Sequence, residues 1–263
     1  MIFDPVNSVA TPAFYRKVSA QSFGRSFLYI SYLVAVFALC ATVALKIKVG
    51  PTIDETFSWL EKSVPTLTYA DGKITSAQPG PVRLQHPRLS DVSLMIDTSR
   101  TDAVTPQQME DAKVLGYLTS TAFYLKEQNG SLRVYDLSKG AQGQKPVTID
   151  SAFYRNAAVV MSRLLYPGAL LAAFCVFLAW KVFTTVLYSL AALMINAFAG
   201  AGLAYAPLLN IAVYAQTPAI LLAILSLFLP FAIPGYTLVC VAITCGYIWL
   251  GVKQHSSSAS VSA

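Results

Sequence analysis

The sequence is short of charge. Only 12% of its 263 residues are Asp, Glu, Lys or Arg, where soluble domains carry roughly 25%. The shortage is local: between Lys181 and Lys253 lie 71 consecutive residues with none. Water cannot solvate such a stretch around a globular core. A bilayer can hold it, because about 20 apolar residues cross the hydrocarbon. The block has room for two spans and a buried connection, or for three spans.

Reactive side chains are also scarce. The four cysteines, Cys40, Cys175, Cys240 and Cys245, all sit in apolar stretches. The hydrophilic middle has none, so a disulfide framework is excluded there. Their plain reading is as small hydrophobes packed between helices. There are two histidines. His86, between Gln85 and Pro87, is expected in a surface loop, and His255 falls in the C-terminal tail. No HExxH, GxSxG or GxxxxGK[ST] occurs, and no His/Cys/Asp group has ligand spacing. The residues therefore suggest no catalytic set, no metal site and no cofactor, and the protein is read as a non-enzyme.

What is present divides by region. From Val49 to Asn156 there are 11 basic and 12 acidic residues. The rest of the chain has 8 basic residues against one acid, Asp4. The net charge of +6 thus belongs to the apolar part, where Lys and Arg mark span ends. This argues for the lipid bilayer as partner and against nucleic acid.

These features predict a polytopic α-helical membrane protein with an inserted small α+β extracytoplasmic domain. Residues 1–26 are polar and are placed in the cytoplasm, because Arg16, Lys17 and Arg25 outweigh Lys46 and Lys48 across the first span, residues 27–46. That span is too long for a cleaved signal peptide and is followed by lysines, so it reads as an uncleaved anchor. Thr11-Pro12 before AFYRKV suits a short interfacial helix.

Residues 49–156 form the domain. PTIDETFSWLEK predicts a short helix. Asp71-Gly72 and Asn129-Gly130 predict two hairpins, VSLMID a buried strand, and Thr105-Pro106 the start of a helix. GAQGQKPV reads as a loop. Residues 157–252 form a helical bundle, with spans expected near 164–196, 217–231 and 236–252. A turn at Lys181, giving five spans, is the competing arrangement. Pro207 is expected to interrupt LAYAPLLNIAVYAQ. Residues 253–263 read as a disordered tail.

Several stretches in order resemble a bacterial membrane family known only as a domain of unknown function, DUF1189. They are PAFYRKV, VPTLTYADGKI, LMIDTS, LRVYDLS and VYAQTPAILL. In the membrane half, Gly200, Gly202, Tyr214, Thr217 and Pro218 are similar to the pattern by which the Yip family joins two spans. The resemblance implies a Yip-like bundle in a bacterial cytoplasmic membrane, with 49–156 outside. It implies no reaction.

Two polar places stand out. Asp97, Thr98 and Arg100 end an apolar strand, where Asp97 could accept from a partner and Arg100 could clamp an anion. The competing reading is a turn closed on its own backbone. Lys181 is an ionisable residue within the apolar block, a functional candidate by default, or else an interfacial lysine. Tyr29, Tyr166, Trp180, Tyr236 and Trp249 read as aromatic belts. The leading function is sensing, binding or scaffolding of an unknown membrane or extracytoplasmic protein partner. The alternative is an accessory or permease-like subunit of a transport system, with sugar uptake as the hint.

Overall fold

A chain in hydrocarbon must satisfy its own backbone hydrogen bonds, and a helix does so within one segment. The computed structural model describes residues 3–78, 80–86, 93–127, 129–139 and 145–259, and each apolar stretch in it is helical. In chain order the elements are α1 (Asp4–Ala10), α2 (Phe14–Ser19), α3 (Phe23–Ser63), β1 (Leu67–Ala70), β2 (Lys73–Ser76), β3 (Val82–Gln85), β4 (Ser93–Ile96), α4 (Pro106–Asp111), β5 (Gly116–Leu118), β6 (Ala122–Lys126), β7 (Leu132–Asp136), β8 (Val147–Ile149), α5 (Ser151–Ala199), α6 (Tyr205–Ala215), α7 (Thr217–Phe228) and α8 (Tyr236–Ala259). The chain divides into a helical unit, residues 1–47 with 165–263, and a mixed unit, residues 48–164.

Among the described residues, four helical stretches are long and apolar enough to cross a membrane: Phe23–Ser63, Ser151–Ala199, Tyr205–Phe228 and Tyr236–Ser256. Several expected boundaries are corrected. α3 runs through Pro51, so the first span and the short helix after it are one element. A proline removes one N–H, here the donor to the Ile47 carbonyl, and the helix resumes beyond it. α5 is a single helix of 49 residues through both Pro167 and Lys181, so the turn at Lys181 is absent. The third candidate span begins at Tyr205, not at 217. Pro207 lies in the first turn of α6, where no intrahelical N–H bond is lost. Gln216 then joins α6 to α7.

The tail is corrected as well. α8 continues past Lys253 to Ala259, and residues 260–263 lie outside the described residues. The Arg16 Nε donates to the Gln254 carbonyl at 2.9 Å, and Ser19 and His255 meet at 2.9 Å. These contacts tie the last turns to α2. That short helix is no polar appendage. Tyr15 and Val18, three apart and so on one helix face, are buried with Tyr29, Ile30, Leu208, Ile211 and Tyr214. Tyr29, expected in an aromatic belt, is in this core with no exposure.

In the mixed unit, β1 and β2 form the expected hairpin, with Ala70 opposite Lys73. Asp71 and Gly72 turn it at φ of 48° and 76°, as a two-residue turn requires. β8 pairs with β1 to complete a three-stranded sheet. A second sheet has the order β3-β4-β5-β6-β7. All its pairs are antiparallel except β4 with β5. A parallel pair needs a long crossover, which the segment carrying α4 provides. Thr105 caps α4 in a capping box with Gln108. Two cores result. Leu67, Ile74, Leu84 and Ile96 form one with Trp59 and Ile149 beside them. Val104, Met109, Val114, Tyr117 and Tyr124 form the other.

Candidate functional site

Asp97 follows β4, and its backbone N–H donates to Leu118 on the neighbouring strand at 2.8 Å. Its carboxylate accepts from the Ser99 N–H at 3.3 Å, the Ser99 hydroxyl at 2.6 Å and the Tyr117 hydroxyl at 3.3 Å. Arg100 donates to the Gln108 side-chain oxygen at 2.9 Å and lies over the Tyr117 ring, 5.8 Å from its centroid. Tyr117 thus stands between an acid and a base. The backbone here does further work. Thr98 Oγ1 accepts from Ser76 N–H at 3.1 Å. The Arg100 carbonyl accepts from both the N–H and the hydroxyl of Ser120, and the Ser120 carbonyl accepts from Ile74 N–H at 2.7 Å. The corner is the seam joining the two sheets. Asp97, Thr98 and Arg100 do come together, and each has internal partners.

His86 is corrected from surface to interior. It is only 4% exposed, edge-on to Trp59 with ring centroids 5.1 Å apart, and 3.3 Å from the Thr56 hydroxyl. The Trp59 spacing ahead of the sheets gave no hint of this, because the contact joins a helix to a strand end.

Lys181 lies on α5 and lines a cleft of about 350 Å³ with Trp180, Thr184, Ala223, Tyr236 and Cys240. Its ammonium sits 5.2 Å from the centroid of the Phe177 ring. Among the described residues no carboxylate pairs with it.

The glycine and proline motif is structural here. Gly200 and Gly202 take φ of 62° and 65°, conformations that favour glycine. Asn196 clasps their loop, donating to the Leu203 carbonyl and accepting from its N–H, both at 3.1 Å. Thr217 donates to the Tyr214 carbonyl at 2.7 Å and meets the Tyr29 hydroxyl at 2.8 Å. Pro218 sits in the first turn of α7. Sequence reasoning missed the buried polar set around them. Ser26 donates to Asn210 at 2.8 Å, Asn210 to the Gln21 carbonyl at 2.7 Å, and Tyr214 to the Gln21 side chain at 3.0 Å. Gln216 bonds Thr184 and Thr185 of α5. Isolated amides in apolar runs were the available signal, since buried amides need partners.

Among the described residues, no three His, Cys, Asp or Glu side chains gather as metal ligands would. The cysteines are free. The model of a family described as a protein of unknown function, DUF1189, matches residues 6–252. The chain belongs to the DUF1189 family. The match takes in both units of the DUF1189 chain, from α1 into α8. No curated protein and no solved structure matches it.

Proposed function

We propose that the chain is a non-enzymatic integral membrane protein whose mixed unit, residues 48–164, binds or scaffolds a protein partner on the extracytoplasmic side. The observation that carries this reading is the seam at Tyr117. There Asp97 accepts from the hydroxyl of the ring while Arg100 lies over its face, and both are held by hydrogen bonds. Rigid polar groups recognise better than mobile ones, because less freedom is lost on binding. Arg100 has five donor N–H groups and spends only part of them on Gln108 and Ala103.

The non-enzymatic part rests on the chemistry of the hydroxyl–imidazole pairs. Ser19 meets His255, but its hydroxyl also lies 2.9 Å from the Arg16 carbonyl. The imidazole faces the Gly251 carbonyl on its other nitrogen, and among the described residues no acid orients it as a general base requires. The pair fastens α2 to α8.

The test is purification of the full chain from its native membranes in mild detergent, as wild type, Asp97→Asn and Arg100→Gln. A stoichiometric partner that is retained by the wild type and lost in either variant, with melting temperature unchanged, supports the reading. A partner that all three retain, or a chain that always purifies alone, overturns it.

A further inference from the structure

We propose that the Lys181 cleft holds the anionic headgroup of an acyl-chain lipid. The proposal concerns the helical unit alone and does not rest on the role of the mixed unit.

The argument begins with charge. Asp4 is the only acidic side chain in the whole helical unit. It lies on α1 beside Tyr29 and Tyr214, whereas Lys181 faces Ala219, Ala223, Tyr236 and Cys240 of α7 and α8. Among the described residues the helical unit therefore offers Lys181 a ring face and no carboxylate. An ammonium held among apolar side chains without a counter-charge is costly. A bound anion would remove much of that penalty.

The shape of the cleft selects the kind of anion. Its walls include Phe177, Ala223 and Val241, with Thr237 and Tyr236 near the lysine. Trp180 and Leu187, which also line it, are 56% and 49% exposed. A face this apolar opens toward lipid and not toward water. A free inorganic anion would meet the lysine and a few hydroxyls but leave the apolar walls bare, while an acyl chain would cover them. Depth agrees. Cys240 is one helical turn, about 6 Å, from Tyr236 where α8 begins. Trp180 and Tyr236 are residue types that sit at headgroup level. An ammonium at that level meets carboxylate or phosphodiester groups.

Trp180 reports on the cleft directly. The chain has three tryptophans, so Trp59→Phe with Trp249→Phe leaves Trp180 alone. The full chain in this background is reconstituted in phosphatidylcholine bilayers. Bromine-labelled phosphatidylglycerol, ionised oleate or phosphatidylcholine is then titrated in, and Trp180 quenching is followed. Half-quenching is expected at about a tenfold lower mole fraction for one of the anionic lipids than for phosphatidylcholine, as a charge-assisted contact predicts. Which anion wins identifies a phosphodiester or a carboxylate ligand. Lys181→Arg should keep the preference and Lys181→Gln should abolish it. Equal quenching by all three lipids overturns the proposal without any lysine variant, and so does a preference that survives in Lys181→Gln.

Discussion

Tyr29 and Tyr214 stack face to face, with ring centroids 3.9 Å apart and planes 6° from parallel. The pair joins α3 to α6, and both rings are fully buried. Each hydroxyl is used, Tyr29 on Thr217 and Tyr214 on Gln21. Tyr29→Phe keeps the stack and loses the hydroxyl's contacts with Thr217 and, at 3.5 Å, with Ser8, so it should cost about 1–2 kcal/mol. Tyr29→Ala opens a cavity and should cost about 3–5 kcal/mol. Denaturant unfolding of the full chain in detergent measures both. A Phe variant as unstable as the Ala variant would assign the stabilisation to the hydroxyl and not to the ring.

Gly72 has a constraint beyond its positive φ. A Cβ there would come within 2.8 Å of the Ser138 carbonyl oxygen. Asparagine tolerates the conformation but brings the same Cβ. Gly72→Ala and Gly72→Asn should therefore both destabilise the mixed unit, by about 1–2 kcal/mol. A neutral Asn variant in a thermal melt would show that only the backbone angle matters.

Asp97 tests the seam. Asp97→Asn keeps an acceptor oxygen for Ser99 and adds a donor that can meet Tyr117, so stability should change by under about 0.5 kcal/mol. Asp97→Ala removes every side-chain acceptor and should cost about 1–2 kcal/mol. The measurement is the melting transition of the full chain.

Residues 48–164 should fold when cut free. One of their two cores is closed by Trp59 near the end of α3 and Ile149 at the end of β8, and Arg155 pairs with Glu61 at 3.3 Å. A fragment trimmed at 64 should melt less cooperatively than 48–164, because it lacks Trp59. Differential scanning calorimetry of the two fragments decides this.

If each of the four candidate helices crosses the membrane once and the mixed unit lies outside, as proposed, the two chain ends share the cytoplasmic side. An alkaline-phosphatase fusion after Gly140 should be active, and a fluorescent protein that matures only in the cytoplasm, fused after Ala263, should be bright. An inactive but stable phosphatase fusion would invert the arrangement.

The apolar blocks, the charge split and the Asp71-Gly72 turn were legible in the sequence because they are local. Hydropathy, helical period and turn chemistry act over a few residues, and they indicated helices in the apolar blocks and a mixed fold between them, while four against five spans stayed open until α5 proved to be one helix. Prolines misled where local rules read them as breaks. Pro51 lies inside a long helix, and Pro207 inside a first turn. Only the tertiary structure decided that α2 is core, that His86 packs on Trp59, that Tyr29 stacks on Tyr214, and that Lys181 opens into a cleft. Tyr29 and Tyr214 are 185 positions apart in sequence, and no periodicity connects them. Such contacts arise from which helix faces which, and packing of the whole chain sets that.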